Sequence, residues 1–326
     1  MSDPAARPLL AAYDVALLDL DGVVYVGAQA VPGAVAALGA ARDAGLHLAY
    51  VTNNAARPPQ DVAEHLTRLG VPTDPSDVVT SAQAAARLVA EQVPAGSPVF
   101  VIGGEGLHAA LSERGLVPVT DLVTEAAAVV QGYGPEMPWR QLIDGAILVR
   151  RGLPWIASNL DLTVPTRHGP GPGNGTLVQL VADYAGRTPV TAGKPEKPLF
   201  EETLARVGGD RPLVVGDRLD TDIDGAHAVG WDSLLVMTGV TGLAELASLE
   251  SSRRPTHVGA DLGALLEPPA EPGGWEATVR DGALAVTGSG DLHTWWAAVA
   301  AALWEHLDDT GRPATTAGAQ PGSVTP

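Results

Sequence analysis

Two aspartates in the string Asp19-Leu20-Asp21-Gly22 stand two positions apart, directly after the apolar run Val15-Ala16-Leu17-Leu18. In an extended chain residues i and i+2 share a face, with Cα atoms roughly 7 Å apart. Like charges held so close repel unless a cation or a proton offsets them, so the pair predicts a hard divalent ion. A second acidic string, Gly216-Asp217-Arg218-Leu219-Asp220-Thr221-Asp222, follows Leu213-Val214-Val215. Asp217 leaves a predicted strand end, Asp222 opens a predicted helix whose N-terminus favours an anion, and Arg218 can offset part of the charge. Between these strings fall Thr52-Asn53-Asn54 and Gly193-Lys194-Pro195. A hydroxyl and two amides suit phosphate oxygens, and an ammonium is a compact charge for a non-bridging phosphoryl oxygen. Each piece alone has a plainer reading: an acidic loop, a turn or cap, a solvated lysine, a helix-capping cluster. Their succession, each at a predicted strand or loop end, is far more specific than any one of them.

Such residues must be carried to one place by regular elements. The continuous apolar runs 15–18 and 46–51 read as strands covered on both faces, with a short third strand at Val78-Val79. Helical patterns lie between them at 33–44, stopped by Gly45, and at 60–69, stopped by Gly70. Strands alternating with helices at this spacing argue for βαβ units and a parallel sheet. Asp19 and Thr52 are about one such unit apart, so both are expected at the carboxyl edge, where open α/β sheets bind ligands. After a helix at 83–91, Pro94-Ala95-Gly96-Ser97-Pro98 reads as a linker into a second alternating block. The first pattern resumes with helices at 198–207 and 222–229 and strands at 213–215 and 233–237. The expected organisation is core 1–96, an inserted domain 97–188, core 189–267, an appendage 268–308 and a tail 309–326. In the appendage, Asp281-Gly282 between two apolar stretches predicts a hairpin, followed by an amphipathic helix over 292–307. The tail, polar and rich in Thr, Gly and Pro, is expected to be disordered. No internal repeat is evident.

The chain has 326 residues, enough for about two domains. With 45% hydrophobic and 18% charged residues it fits a soluble globular enzyme or binding protein. A formal net charge of −18 repels phosphate backbones and anionic lipid, so nucleic acid and membrane surfaces are poor partners. The absence of cysteine excludes disulfides, thiolate catalysis and Cys-ligated metals, and it fits a reducing cytosol. Met1–Leu10 does not read as a secretion signal, and no window supplies the roughly 18 apolar residues of a bilayer span. A cytoplasmic location is expected.

The four strings together resemble the four motifs of the haloacid dehalogenase (HAD) superfamily of phosphohydrolases. Asp19-Leu20-Asp21-Gly22, Val51-Thr52-Asn53-Asn54, Gly193-Lys194-Pro195 and Gly216–Ile223 look most like its nitrophenyl-phosphatase branch. That branch includes phosphoglycolate, pyridoxal phosphate and glycerol-3-phosphate phosphatases. Lesser matches are Thr80-Ser81-Ala82, Gly103-Gly104-Glu105-Gly106-Leu107, Asn159-Leu160-Asp161 and Thr238-Gly239-Val240. The resemblance covers about residues 12–266. With its appendage, the chain is most similar to the actinobacterial glycerol-3-phosphate phosphatases. The implied fold class is α/β: a Rossmann-like core with a parallel sheet, an inserted α/β cap domain and a small C-terminal ββα appendage.

The resemblance implies Asp19 as nucleophile, forming an aspartyl-phosphate. It implies Asp21 as the acid for the leaving oxygen and then the base for water. Mg²⁺ would be held by Asp19, the Asp21 backbone carbonyl, Asp217 and Asp222. Thr52, Asn53, Asn54 and Lys194 would hold the phosphoryl group. Physics agrees, since phosphoryl transfer needs charge neutralisation and in-line placement, and a carboxylate is ionised at neutral pH without a helper. Asp21 must instead be protonated when the first step begins. The cap implies a small phosphorylated metabolite as substrate and, as lids of this type often do, pairing into a homodimer. Glycerol 3-phosphate is the first substrate to consider, within glycerophospholipid metabolism. The alternatives are a broad-specificity, phosphoglycolate or nitrophenyl phosphatase.

Other features read more plainly. Gly103-Gly104-Glu105-Gly106 mimics a phosphate loop but lacks the dinucleotide fingerprint, which favours a structural turn. Pro170-Gly171-Pro172-Gly173-Asn174-Gly175 reads as a stiffened loop, either structural or facing the substrate. Val164 stands where the pyridoxal-phosphatase branch carries a His just before Pro165, against that substrate. Trp295, Trp296 and Trp304 are expected to pack the appendage helix, and His293 and His306 to be ordinary surface or core residues. The appendage also resembles a fragment of an acetyltransferase-like ββα unit, too short to bind acyl-CoA. A phosphoacceptor signalling domain would also gather acidic residues, a hydroxyl and a Lys around Mg²⁺. A switch that must keep its phosphoryl group has little use for Asp21, and the insert argues for an enzyme.

Overall fold

A computed structural model describes residues 7–122, 125–166 and 168–323. The first six residues and the last three, touched by the secretion-signal and tail expectations, lie outside the described residues. The chain forms two compact units, 1–48 with 209–326, and 49–208.

In the first unit, strands Val15–Leu18, Pro212–Gly216, Asp232–Val236 and His257–Gly259 run parallel side by side, with Leu17 opposite Val214 and Leu234 opposite His257. The apolar runs read at 15–18, 213–215 and 233–237 are the first three of these strands, and His257–Gly259 adds a fourth that the sequence reading does not include. All four residues of the first are buried, as two covered faces require. Helix Ala34–Asp43 ends as expected, with Gly45 at φ +94°, a backbone that favours glycine. The helix expected at 222–229 instead divides into a π-helical turn, Leu219–Ile223, and an α-helix, Asp224–Val229.

The appendage belongs to this unit. Strands Trp275–Arg280 and Ala283–Gly288 form the expected antiparallel hairpin, and Asp281 and Gly282 take φ of 50° and 76° at its turn. Helix Leu292–Thr310 runs slightly beyond its expected end. Trp295 and Trp296 meet edge to face at 4.9 Å between ring centroids, inside an apolar cluster that also holds Ile223, Leu235 and Leu246. The tail corrects the disorder expectation over its described part, 309–323. Thr315 donates its N–H to Gly282 O and accepts at its carbonyl from Leu284 N, Ala314 is buried, and Trp295 Nε1 donates to Ser323 O. Composition counts side chains, whereas this tail is held largely by backbone groups meeting the hairpin.

In the second unit, strand His47–Thr52, which enters from the first, pairs in parallel with Val78–Thr80. A separate five-stranded parallel sheet runs in the order Val190–Thr191, Trp155–Ala157, Ala128–Gln131, Pro98–Ile102, Val117–Val119. Helix Ser81–Ala90 starts two residues before its expected position because Thr80 and Gln83 form a capping box. It packs on helices Glu105–Glu113 and Lys197–Val207, which gathers 49–96 and 189–208 with the five-stranded sheet. The glycine-proline stretch is not a loop: Gly169–Pro172 pairs antiparallel with Thr163–Thr166, and helix Asn174–Ala185 begins at Asn174. Prolines are tolerated in edge strands, and both strands of a two-stranded ribbon are edges. Gly103 and Gly104 lead directly into helix Glu105–Glu113, and the segment packs closely on the chain: a Cβ on Gly106 would stand 2.4 Å from Ala55 O, and the Gly106 N–H donates to Ala56 O. Among the described residues, no helix is long and apolar enough to cross a membrane.

Candidate active site

In the first unit, the carboxylates of Asp19, Asp217 and Asp222 offer oxygens within 4.8 Å of one another. Asp19 and Asp217 each stand directly past the carboxyl end of a parallel strand. Asp19 extends the first strand by donating its N–H to Val215 O at 2.8 Å, and Asp217 follows Gly216. Asp222 comes from the π-helical turn, a widened turn of the kind often found at functional sites. Asp217 is 0% and Asp222 1% exposed, while Asp19 is half-buried.

Backbone donors fix these groups. Val240 N–H donates to Asp217 Oδ2 at 2.6 Å, and Arg218 N–H to Asp222 Oδ2 at 3.2 Å. Thr238 Oγ1 donates to Gly22 O at 2.6 Å, which ties the turn after Asp21 to the segment that caps Asp217. Gly216 is required, since a Cβ there would lie 2.3 Å from Asp222 Oδ2. The Arg218 guanidinium pairs with exposed Asp220, at 3.0 and 2.8 Å, and holds that carboxyl below the usual carboxylate range. Asp21 is exposed, its side chain outside the carboxylate group.

In the second unit, Thr52 and Lys194 are buried. Thr52 Oγ1 accepts from Asn54 N–H at 3.1 Å, Asn54 Oδ1 accepts from Ala56 N–H at 2.8 Å, and Lys194 Nζ donates to Val51 O at 3.4 Å. Asn53 turns toward Lys194: its Oδ1 accepts from Lys194 N–H at 2.8 Å and its Nδ2 donates to Lys194 O at 3.1 Å. Nδ2 also donates to Asp161 Oδ1 at 3.2 Å. The carbonyl of Asn53 accepts from Ser81 Oγ at 2.6 Å and from Asn159 Nδ2 at 2.7 Å. Thus Asp19, Asp217 and Asp222 form one group, and Thr52, Asn53, Asn54 and Lys194 another. The strings Asn159-Leu160-Asp161 and Thr238-Gly239-Val240 carried a resemblance in the sequence but no role. Their contacts supply one.

The same chain matches known proteins in both parts. Residues 16–117 fit the family described as haloacid dehalogenase-like hydrolase, and 191–265 the one described as HAD-hydrolase-like. The D-glycerol 3-phosphate phosphatase of Mycobacterium tuberculosis is 41% identical over 307 residues, 90% of this chain and 86% of its own length. The chain belongs to the haloacid dehalogenase-like hydrolases. This hydrolase is also 36% identical to an acid sugar phosphatase of Staphylococcus aureus, over 77% of the present chain and 95% of the relative. The crystal structure of the M. tuberculosis glycerol phosphate phosphatase in complex with magnesium superposes with a TM-score of 0.85 at 40% identity, covering 94% of each chain. That of the 4-nitrophenylphosphatase from Thermotoga maritima gives 0.73 at 28% identity, over 79% and 98%. The hydrolase is a phosphatase of this family, which closes the signalling-domain alternative.

Proposed function

We propose that this phosphatase is a Mg²⁺-dependent phosphomonoesterase acting on glycerol 3-phosphate. The observation that carries the reading is the meeting of Asp19, Asp217 and Asp222 within 4.8 Å. Two carboxylates almost wholly removed from water, beside a third, call for a cation, and an all-oxygen donor set suits Mg²⁺. Asp19, Asp217 and Asp222 would hold the ion by their side chains and Asp21 by its backbone carbonyl. Bound there, it would neutralise charge on the phosphoryl oxygens.

The chain's own residues perform the rest. Asp19 attacks phosphorus, and an aspartyl-phosphate forms as the substrate's P–O ester bond breaks. Asp21 gives its proton to the departing alcohol oxygen. As a carboxylate it then takes a proton from the water that attacks phosphorus, which releases phosphate and restores Asp19. Thr52, Asn54 and Lys194 hold the phosphoryl oxygens, and Asn53 acts beside Lys194. Segment 97–188 is the cap that admits small leaving groups.

Glycerol 3-phosphate is favoured because the similarity to the M. tuberculosis enzyme spans 90% of the chain, against 77% for the acid sugar phosphatase. That substrate places the enzyme in glycerophospholipid metabolism. A chain without cysteine gains nothing from an oxidising compartment, which supports a cytoplasmic location. Exposed Trp139 and Ile143, on one cap helix, support a homodimer through the cap.

The test is phosphate release with Mg²⁺ from glycerol 3-phosphate, 2-phosphoglycolate, pyridoxal phosphate, nucleoside monophosphates and 4-nitrophenyl phosphate. Glycerol 3-phosphate should give the highest kcat/KM. Comparable low rates on all would reduce the reading to a broad-specificity phosphatase.

A further inference from the structure

Asn53 was expected to hold the phosphoryl group, yet its side chain is engaged elsewhere. Its amide lies against the main chain of Lys194 as a neighbouring strand would, accepting from the N–H and donating to the C=O. Lys194 is 141 positions away in the chain. Room for this approach comes from Gly193, where a Cβ would stand 2.5 Å from Asn53 Oδ1 and 2.5 Å from Ser158 O. Asn53 cannot easily swing aside, because Ser81 and Asn159 grip its carbonyl from two other elements. Asn159 is itself held, its carbonyl accepting from Asn174 Nδ2 at 2.7 Å. The same Asn53 amide reaches Asp161 at 3.2 Å, just before the ribbon strand Thr163–Thr166.

We propose that Asn53 is a positioning residue: its amide fixes the backbone from which the Lys194 ammonium projects, and its bond to Asp161 ties that placement to the segment leading into the Thr163–Pro172 ribbon. The inference rests on the phosphatase reading above and assigns Asn53 no contact with substrate. Lys194 is buried, so its ammonium has little freedom to correct a displaced main chain. A displacement of about 1 Å in a charge that must meet a phosphoryl oxygen costs on the order of 100-fold in rate.

The test exchanges the two partners. In Asn53→Asp, Oδ1 still accepts from Lys194 N–H, but the donor becomes an oxygen facing the Lys194 carbonyl and the Asp161 carboxylate. We expect kcat to fall about 100-fold with KM within about threefold of wild type. Adding Asp161→Asn restores a donor–acceptor pair with its polarity reversed and should recover at least about tenfold of the loss. A direct phosphoryl ligand would behave otherwise: aspartate at 53 would raise KM, and no change at 161 would repair it. Wild-type kcat in Asn53→Asp, or a double variant no faster than the single, overturns the proposal. If Asn53→Asp melts below the assay temperature, Asp161→Ala takes its place. A several-fold fall in kcat at unchanged KM supports the coupling and an unchanged kcat refutes it. Both glycerol 3-phosphate and 4-nitrophenyl phosphate serve as substrates. A wild type active only on the second would sink the substrate assignment while leaving this test intact.

Discussion

A β-carbon on Gly239 would stand 1.9 Å from Asp217 Oδ2, and one on Gly22 would stand 2.5 Å from the same oxygen. Asp217 is thus seated between two glycine backbones, with Val240 N–H donating to its carboxylate. Gly239→Ala must push the carboxylate away from Asp19 and Asp222 or displace the 238–240 segment. Outer-shell changes at metal sites commonly weaken affinity by about 10- to 100-fold. The Mg²⁺ concentration for half-maximal phosphate release should rise by that factor. An unchanged magnesium dependence would show that the packing of Gly239 does not govern the metal site.

How much could be read beforehand varies with the range of the cause. The Asp19 and Asp217 strings were legible because each follows an apolar run whose strand identity is local. The Thr80 cap was missed by two residues, since a capping box needs Gln83 to turn back on its own backbone. The Asn53 clamp was not legible. It depends on a glycine brought alongside by folding, and residue type alone suggests a phosphate donor. The tail was misread for a related reason: Thr315 and Ser323 look like solvated residues until the hairpin and Trp295 supply partners.

The proposed mechanism assigns Asp19 and Asp21 different roles, which should separate by their effects. Asp19→Asn removes the proposed nucleophile and one of the three clustered carboxylates, so phosphate release should drop to the uncatalysed background even at saturating Mg²⁺. Asp21→Asn keeps the cluster but can neither give nor take the proton, a loss of about 10²- to 10⁴-fold. Magnesium affinity measured by titration calorimetry should weaken in the first variant and hold in the second. Wild-type rates in either would refute the assigned role.

The appendage should matter to the carboxylate group through the apolar cluster it shares with Ile223. Trp295 is fully buried in a cluster shared with Ile223, the neighbour of Asp222. Trp295→Ala should destabilise the protein by about 3–5 kcal/mol, read from urea unfolding. Because Ile223 belongs to the same cluster, magnesium activation should weaken as well. A variant with wild-type stability would mean the tryptophan is not part of a close-packed core.

Glu202 is 1% exposed and gathers three arginines from separate elements. Arg206 Nε lies 2.5 Å from its Oε1, Arg114 pairs with the same oxygen, and Arg87 Nε lies 3.3 Å from Oε2. Removing the charge leaves these guanidiniums partly desolvated around a neutral group. Glu202→Gln should cost about 3 kcal/mol, at the low end for a broken buried pair because the arginines keep some water. Thermal melting checks it, and a loss under about 1 kcal/mol would place the network among surface pairs.

Acid should loosen the first unit through His257. Burial pushes its imidazole below the ordinary histidine value of about 6.5, with the Asp232 carboxylate pulling the other way. Tyr13 O–H donates to Asp232 Oδ2 at 2.9 Å, so the contact of Tyr13 with His257 Nε2 at 3.0 Å requires that nitrogen to carry the proton. A second proton would therefore enter at Nδ1. The unfolded chain takes up that proton first as pH falls, so the stability is complete above about 6.5 and is lost below it toward the lower folded value. Urea midpoints should decline between pH 7 and pH 5, and the decline should be shallower in His257→Gln. Two parallel pH curves would show that another group, not His257, carries the acid response.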